Sequence, residues 1–363
     1  MTINHRDSFD ETLRMAMEDH PLEESHLEIL LGAEGVQREA LYAAARECRL
    51  KHFGDRLFGY GFIYFSTYCR NDCTFCFYRR SNGDAPRYRK TKDDVIRTAK
   101  ALTESGAHLL DLTLGEDPHY VMDDEGYDML LDIADDMRAL NGLPLMISPG
   151  VLEGGRIKKA ARAGISFYAC YQETHNRQLF SALRQGQDYE TRWNAKMSAR
   201  EGGMLVEEGI LTGVGETLAD IAHSIKTMKE MRAAQVRVMS FVPQRGAPLK
   251  RAIEDGLYPR ELNTIAVMRV SMPGKFIPAS LDVAGKAGLK ERLDAGANVI
   301  TSLIMPESGF AGVSNATLDV DNGSRSLPGI LDTIGELGLR MGSGSEFESA
   351  LGKLREECEI QCA

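Results

Sequence analysis

The sequence predicts an α/β fold, a (β/α)8 barrel of the TIM type with a helical cap at its N-terminus. Three observations carry this expectation. Short apolar runs recur near residues 61–66, 109–114, 144–148, 165–171, 204–211, 236–242, 275–281 and 297–303, the lengths expected of buried parallel strands. Helical stretches lie between them, and Gly106, Gly142, Gly164 and Gly296 stand where helices hand over to strands. A tight group of cysteines follows the first strand, at the strand end where barrels of this type gather their chemistry. A doubly wound open sheet is the alternative that the same alternation allows.

Taken in order, residues 7–53 read as helices, from the spacing of Leu27, Ile29, Leu30, Leu31, Val36, Leu41, Ala44 and Ala45, with Gly32 and Gly54 as stops. Helices then fall at 93–104, 126–140, 156–163, 188–201, 218–233, 260–270 and 286–295. Residues 305–345 are rich in Gly and Ser and read as loop plus a last helix near 329–337. The division expected is a helical cap over 1–56, the barrel over 57–345 and an acidic helical tail over 346–363.

Composition narrows the class. With 363 residues, 43% hydrophobic and 26% charged, the chain has material for a full core. A net charge of −10 without a basic run does not suggest a nucleic-acid partner. The N-terminus has no apolar signal region, and no apolar run approaches the ~20 residues that span a bilayer, so no membrane partner is expected. Seven cysteines, three of them in one clump, do not read as a disulfide framework. The expected location is the reducing cytoplasm.

Cys69, Cys73 and Cys76 form a C-x3-C-x2-C pattern directly after the apolar run 62–65. Three thiolates so spaced can hold three irons of a four-iron cluster and leave the fourth iron open, as reactive metal sites do. A structural zinc site would want a fourth Cys or His, and Tyr78-Arg79-Arg80 offers none. With Phe75 before the last cysteine, the stretch resembles the signature of the radical S-adenosylmethionine (SAM) superfamily, which implies a [4Fe–4S] cluster whose open iron takes SAM. Gly115-Glu116 resembles that superfamily's Gly-Gly-Glu segment for the SAM amino group, with Leu114 in place of the first glycine. The run 209–216 resembles the segment that flanks the SAM adenine, and 241–249 resembles the loop after strand six in biotin-synthase-like members.

Charged residues inside apolar strands mark a barrel lumen. Alternation puts Leu109, Asp111 and Thr113 on one face, so Asp111 is expected to point inward, with a cationic partner or as half of an internal salt bridge. Arg237, within Val236-Arg237-Val238, either pairs with a lumen carboxylate or waits for an anionic substrate group. Ser280 and Asp282 share a face at the end of strand seven, although Asp282 also suits a helix N-cap. Glu173 follows strand four and Arg192 lies beyond it; each is also readable as an ordinary surface charge. Cys48 reads as helix core and Cys170 as barrel filler. Cys358 and Cys362, four apart, could pair or be inert.

Together the segments 62–69, 111–118, 148–151, 171–174, 209–215, 236–239 and 277–282 resemble the methylornithine synthase family of pyrrolysine biosynthesis, in the same order over most of residues 45–305. The resemblance implies a radical mutase that isomerises L-lysine to (3R)-3-methyl-D-ornithine by breaking and re-forming the carbon skeleton, with a reductant protein such as flavodoxin or ferredoxin. It assigns Arg237 and Ser280 to the substrate carboxylate and Asp111 and Asp282 to its amino groups. Glu173 would bind the ribose of SAM and Arg192 its carboxylate end, with Tyr68, Phe75, Glu116 and Gly213 also at the cofactor. One Arg and two Asp give a lumen of net −1, which lysine at +1 would neutralise. Rival readings are biotin synthase, which would need more cysteines along the barrel, the maturase of iron-only hydrogenase, and a non-catalytic iron–sulfur electron carrier.

Overall fold

A computed structural model of the chain describes residues 5–250, 257–310, 312 and 322–359. Its strands are β1 (Arg56–Ser66), β2 (Leu109–Leu114), β3 (Leu145–Ser148), β4 (Phe167–Ala169), β5 (Leu205–Thr212), β6 (Gln235–Ser240), β7 (Pro278–Ser280), β8 (Val299–Leu303) and β9 (Arg340–Met341). All ladders are parallel, in the order β6-β5-β4-β3-β2-β1-β8-β7, with β9 added to the start of β1. The seam between β6 and β7 is closed by a bridge from Gln235 to Phe276, where the Val236 N–H donates to the Phe276 carbonyl and the Phe276 N–H to the Ala234 carbonyl. The strands thus form a nearly closed barrel, in the positions the apolar runs marked. The open doubly wound alternative falls.

Which side chains face inward follows from β1. A side chain at Gly61 would collide with Leu102 of the helix Lys92–Glu104, so Gly61 faces the helix layer and Tyr60, Phe62 and Tyr64 face the lumen. The register pairs Phe62 with Asp111, and Glu207 with Gln235. Helix starts are set by local caps: Thr91 with Asp94 and Thr217 with Asp220 form capping boxes, and Asp188 caps Tyr189–Glu201.

The first three helices, His5–Met17, Glu24–Leu31 and Gly35–Phe53, lie against the outer helices Leu218–Glu230 and Leu257–Ser271. Asn263 fastens them by donating to the carbonyls of Leu31 and Ala33, each at 2.9 Å, and accepting from the Tyr42 hydroxyl. The opposite end of the chain closes the floor. Phe347 and Leu351 of the helix Gly344–Glu359 are buried with Phe58, Tyr60 and Phe276, and the Phe276 and Phe347 rings stack at 5.8 Å. His108 ties this helix's approach to the barrel, with Nδ1 accepting from the Gly59 N–H and Nε2 bonded to the Gly342 carbonyl at 2.7 Å. Cys362 and the side chain of Cys358 lie outside the described residues. The short helices Pro118–Val121 and Arg177–Leu183 and the strand β9 are elements the sequence pattern did not single out.

Candidate active site

The loop after β1 carries Cys69, Cys73 and Cys76 to the C-terminal mouth of the barrel, and Cys76 and Phe75 reach the lumen cavity. The loop is pinned from several sides. Arg70 N–H donates to the Glu116 carbonyl, Thr74 N–H to Leu183, and Arg87 spans the carbonyls of Thr67, Tyr78 and Arg79. Burial pushes the Cys69 thiol up to about 11. It raises Cys76 as well, and the charges of Cys73 and Cys69 add to this. Thiols so desolvated and so close need the positive charge of a metal to ionise together. Arg184 Nη1 and Gln187 Nε2 point at Cys73 Sγ, at 3.5 and 3.1 Å. Among the described residues no three His, Cys, Asp or Glu side chains converge on one point as for a single ion. A cluster is different, since each of its irons takes its own thiolate.

Gly115 explains why the strand-two motif keeps its second glycine. A Cβ there would lie 2.2 Å from the Tyr68 carbonyl oxygen and 3.1 Å from Cys69 Cβ, so the cysteine loop rests directly on this backbone. Gly115→Ala is therefore expected to push the loop outward. The check is iron content after reconstitution, which should fall well below that of the parent while far-ultraviolet circular dichroism is retained.

Beside the loop lies a second group. Glu116 accepts from Arg70 Nε and Nη2 at 2.8 and 2.6 Å and from Asn71 Nδ2 at 2.8 Å, with Arg192 Nη1 at 3.5 Å. Burial works to raise its pKa, but Arg192 and Arg70 hold it below its ordinary value. Arg192 is buried and also donates from Nε to the Tyr171 carbonyl. Glu173 lines the lumen cavity in a left-handed conformation, φ 67°, and receives Arg184 Nη2 at 2.5 Å. Neither Glu173 nor Arg192 is a surface charge. Gly213, φ 83°, gives its N–H to Glu216. Tyr68 is 38% exposed, with the Arg89 guanidinium 4.3 Å over its ring, and stands outside the cavity lining.

The cavity itself has room for water-sized spheres over about 160 Å³ and is open at its mouth, between Tyr60, Phe62, Asp111, Ser148, Tyr171, Arg237, Asp282, Thr301 and Ser302. Asp111 and Arg237 are both in its wall, as alternation required, but they do not pair. Arg237 Nε donates to Glu207 Oε1 at 2.6 Å and Nη1 to Thr301 Oγ1 at 3.0 Å. Asp111 has Ser148 Oγ at 2.8 Å and no ion pair among the described residues. Burial, and after it the Glu207 carboxylate, pushes Asp111 up to about 7. Among the described residues, then, no cation forms the ion pair expected of Asp111.

Asp282 is no helix cap. Ala284 adopts φ 61° and the next α-helix begins at Leu289. Asp282 instead accepts from Ser302 Oγ at 2.5 Å and pairs with Arg325 Nη1 at 2.7 Å. Ser280 is buried behind the wall, its hydroxyl 3.4 Å from Ser302 Oγ and accepting from the Asp282 N–H. Sequence reasoning missed Glu207, Arg325 and Arg184. Glu207 carried a signal, a carboxylate within an apolar strand in register with the segment that bears Arg237.

The profile of the radical SAM superfamily matches residues 63–228. The chain is 39% identical over 352 residues to the 3-methylornithine synthase of Methanosarcina acetivorans, covering 97% of this chain and 98% of the relative. The chain belongs to the methylornithine synthase family. A crystal structure of methylornithine synthase superposes with a TM-score of 0.87 at 38% identity, covering 93% of this chain and 99% of the other. The [FeFe] hydrogenase maturase subunit HydE of Thermotoga maritima is more distant, 30% identical over 72% of this chain and 74% of its own.

Radical SAM enzymes such as the methylornithine synthases work with a [4Fe–4S] cluster and SAM. The donor set suits that pair. Three thiols share one loop, Cys73 buried and Cys69 and Cys76 half-buried, and N–H donors aim at the Cys73 sulfur. Beside them, Glu116, Glu173, Arg184 and Arg192 form a belt of charge between the loop and the lumen cavity.

Proposed function

We propose that this methylornithine synthase family member isomerises L-lysine to (3R)-3-methyl-D-ornithine. The charge balance of the lumen is the observation that carries the reading. Among the described residues the lumen brings together three carboxyl groups, Asp111, Glu207 and Asp282, and two guanidiniums, Arg237 and Arg325, so with Asp111 ionised three against two leaves −1. The excess sits on Asp111. Lysine, with two ammoniums and one carboxylate, brings +1, and a buried site whose charge is matched only by such a molecule is selective for it. The same net charge was expected from fewer groups, with Glu207 and Arg325 cancelling each other.

In this reading Cys69, Cys73 and Cys76 hold the cluster, and Tyr68, Phe75, Glu116, Glu173, Arg192 and Gly213 surround SAM. Cluster and SAM supply hydrogen-atom abstraction from an unactivated C–H bond. Asp111 takes a substrate ammonium. Arg237 takes the carboxylate with Nη2, which makes no hydrogen bond among the described residues. Asp282, already paired with Arg325, offers its remaining acceptor capacity to the second ammonium, and Ser280 acts through Ser302. A substrate that breaks and re-forms a carbon–carbon bond must be gripped by its charged ends so that the pieces meet again in place. The walls Phe62, Phe75 and Phe241 exclude water from them. A reductant protein such as flavodoxin or ferredoxin, and a reducing cytoplasm, complete the proposal. Among the described residues no helix is long and apolar enough to cross a membrane.

The test is anaerobic incubation of the reconstituted protein with L-lysine, SAM and dithionite, followed by mass spectrometry. An isomer of unchanged mass that co-elutes with authentic 3-methylornithine is expected. SAM cleavage without any lysine isomer would sink the substrate assignment.

A further inference from the structure

We propose that Glu207 is a positioning residue, which aims the Arg237 guanidinium at the substrate carboxylate and keeps that arginine off Asp111. The inference rests on the amino-acid substrate proposed above and adds a residue that touches neither substrate nor cofactor. Glu207 lies on β5, fully buried, behind the cavity wall rather than in it. Its Oε1 holds Arg237 Nε at 2.6 Å, while Thr301 on β8 holds Nη1 at 3.0 Å. Two fixed points on a planar group stop it from turning about its long axis. Nη2 makes no hydrogen bond among the described residues, Arg237 lines the cavity, and the Tyr171 ring lies 5.8 Å from the guanidinium carbon.

A carboxylate is needed for this task because another carboxylate competes for the same arginine. Asp111 and Arg237 line one cavity and act on each other's charge. Closed into an ion pair, they would remove the anion-binding and the cation-binding pole of the site together. A zwitterionic amino acid needs both poles apart. By engaging Arg237 first, Glu207 leaves Asp111 open to an ammonium. The arrangement is costly, since Glu207 Oε2 is buried and without a hydrogen-bond partner among the described residues, as is the nearby Tyr60 hydroxyl. A half-satisfied buried carboxylate is expected where function, rather than stability, requires it.

The experiment measures the affinities of L-lysine and L-lysinamide for the cluster-loaded, SAM-bound protein, by calorimetry. Lysinamide keeps both amines and lacks the carboxylate charge, so the ratio of the two dissociation constants reports how well Arg237 is aimed. Glu207→Gln is expected to reduce that ratio at least tenfold. Glu207→Asp, which keeps the charge but is one methylene short, should reduce it about threefold and guards against a Gln variant that fails to fold. A role in stability alone would weaken both ligands equally and leave the ratio unchanged. A parent protein that prefers lysine, with the same preference in both variants, overturns the role of Glu207 alone. A parent that binds the two ligands equally overturns the proposed substrate recognition and this inference with it.

Discussion

Asp111→Asn is expected to abolish lysine turnover while making the ligand-free protein more stable above neutral pH. The two effects have one origin. Asp111 is a buried carboxyl with no ion pair among the described residues, and burial together with Glu207 raises it to about 7 against the pull of Arg237. The unfolded chain titrates it near ~3.9. Between these values the folded protein binds a proton that the unfolded chain does not, so stability falls as pH rises through that window. The cost is absent below about pH 4 and complete above about pH 7, where a shift of this size is worth roughly 4 kcal/mol at most. Asparagine has nearly the same shape and does not titrate. Urea midpoints of the ligand-free protein should therefore converge near pH 4 and separate towards pH 8, with the variant higher.

Lysine reverses the comparison. Its ammonium favours the ionised Asp111, so binding near pH 6 should release about one proton and binding at pH 8 almost none. Losing one partner of a buried pair costs roughly 3–5 kcal/mol, which is about 10²- to nearly 10⁴-fold in lysine affinity. Parallel stability profiles for the two proteins, or undiminished lysine binding by the variant, would show that this carboxyl does not carry the excess charge.

Cys73→Ala should reduce cluster absorbance and SAM cleavage to background. This thiol is the one approached by Arg184 and Gln187, and those donors would be left facing a methyl group. Cys48→Ala is the matched control. Cys48 lies in the helix Gly35–Phe53 and donates to the Arg269 carbonyl at 3.3 Å, away from the barrel mouth. It should cost about 1 kcal/mol of stability and leave iron content unchanged. A Cys73 variant that kept its iron and still cleaved SAM would remove that cysteine from the ligand set.

The barrel was legible in the sequence because parallel strands covered on both faces read as short apolar runs, and because glycines mark the turns between them. Asp111 and Arg237 were legible for the opposite reason, as charges in such runs. Their partners were not. Glu207 and Glu208 are consecutive, so alternation sends them to opposite faces, and a sequence reader expects at least one to meet water. Both are buried: Glu207 meets Arg237 inside the barrel, and Glu208 meets Lys196 and Gln172 outside it. Arg325 was hidden in a Gly- and Ser-rich stretch, 43 residues from Asp282. Arg184 ends a short helix with no strong pattern of its own, yet it bridges Cys73 and Glu173. Ser302, which neighbours the Ser280 hydroxyl at 3.4 Å, was not legible, because position on a strand does not show which hydroxyl of the next strand stands beside it.

The floor of the barrel has a bearing on how the chain comes off the ribosome. The start of β1 pairs with Arg340 and Met341, and the aromatic rings on its inner face are covered by Phe347. Strand one is made early, and what seals it is made nearly 300 residues later. At translation speeds of about 5–20 residues per second, its apolar base waits on the order of 15–60 s for its cover. Contacts of such long sequence separation form late and slowly. The nascent barrel therefore spends that interval bottomless, with Phe58 and Tyr60 still uncovered by the segment that will seal them.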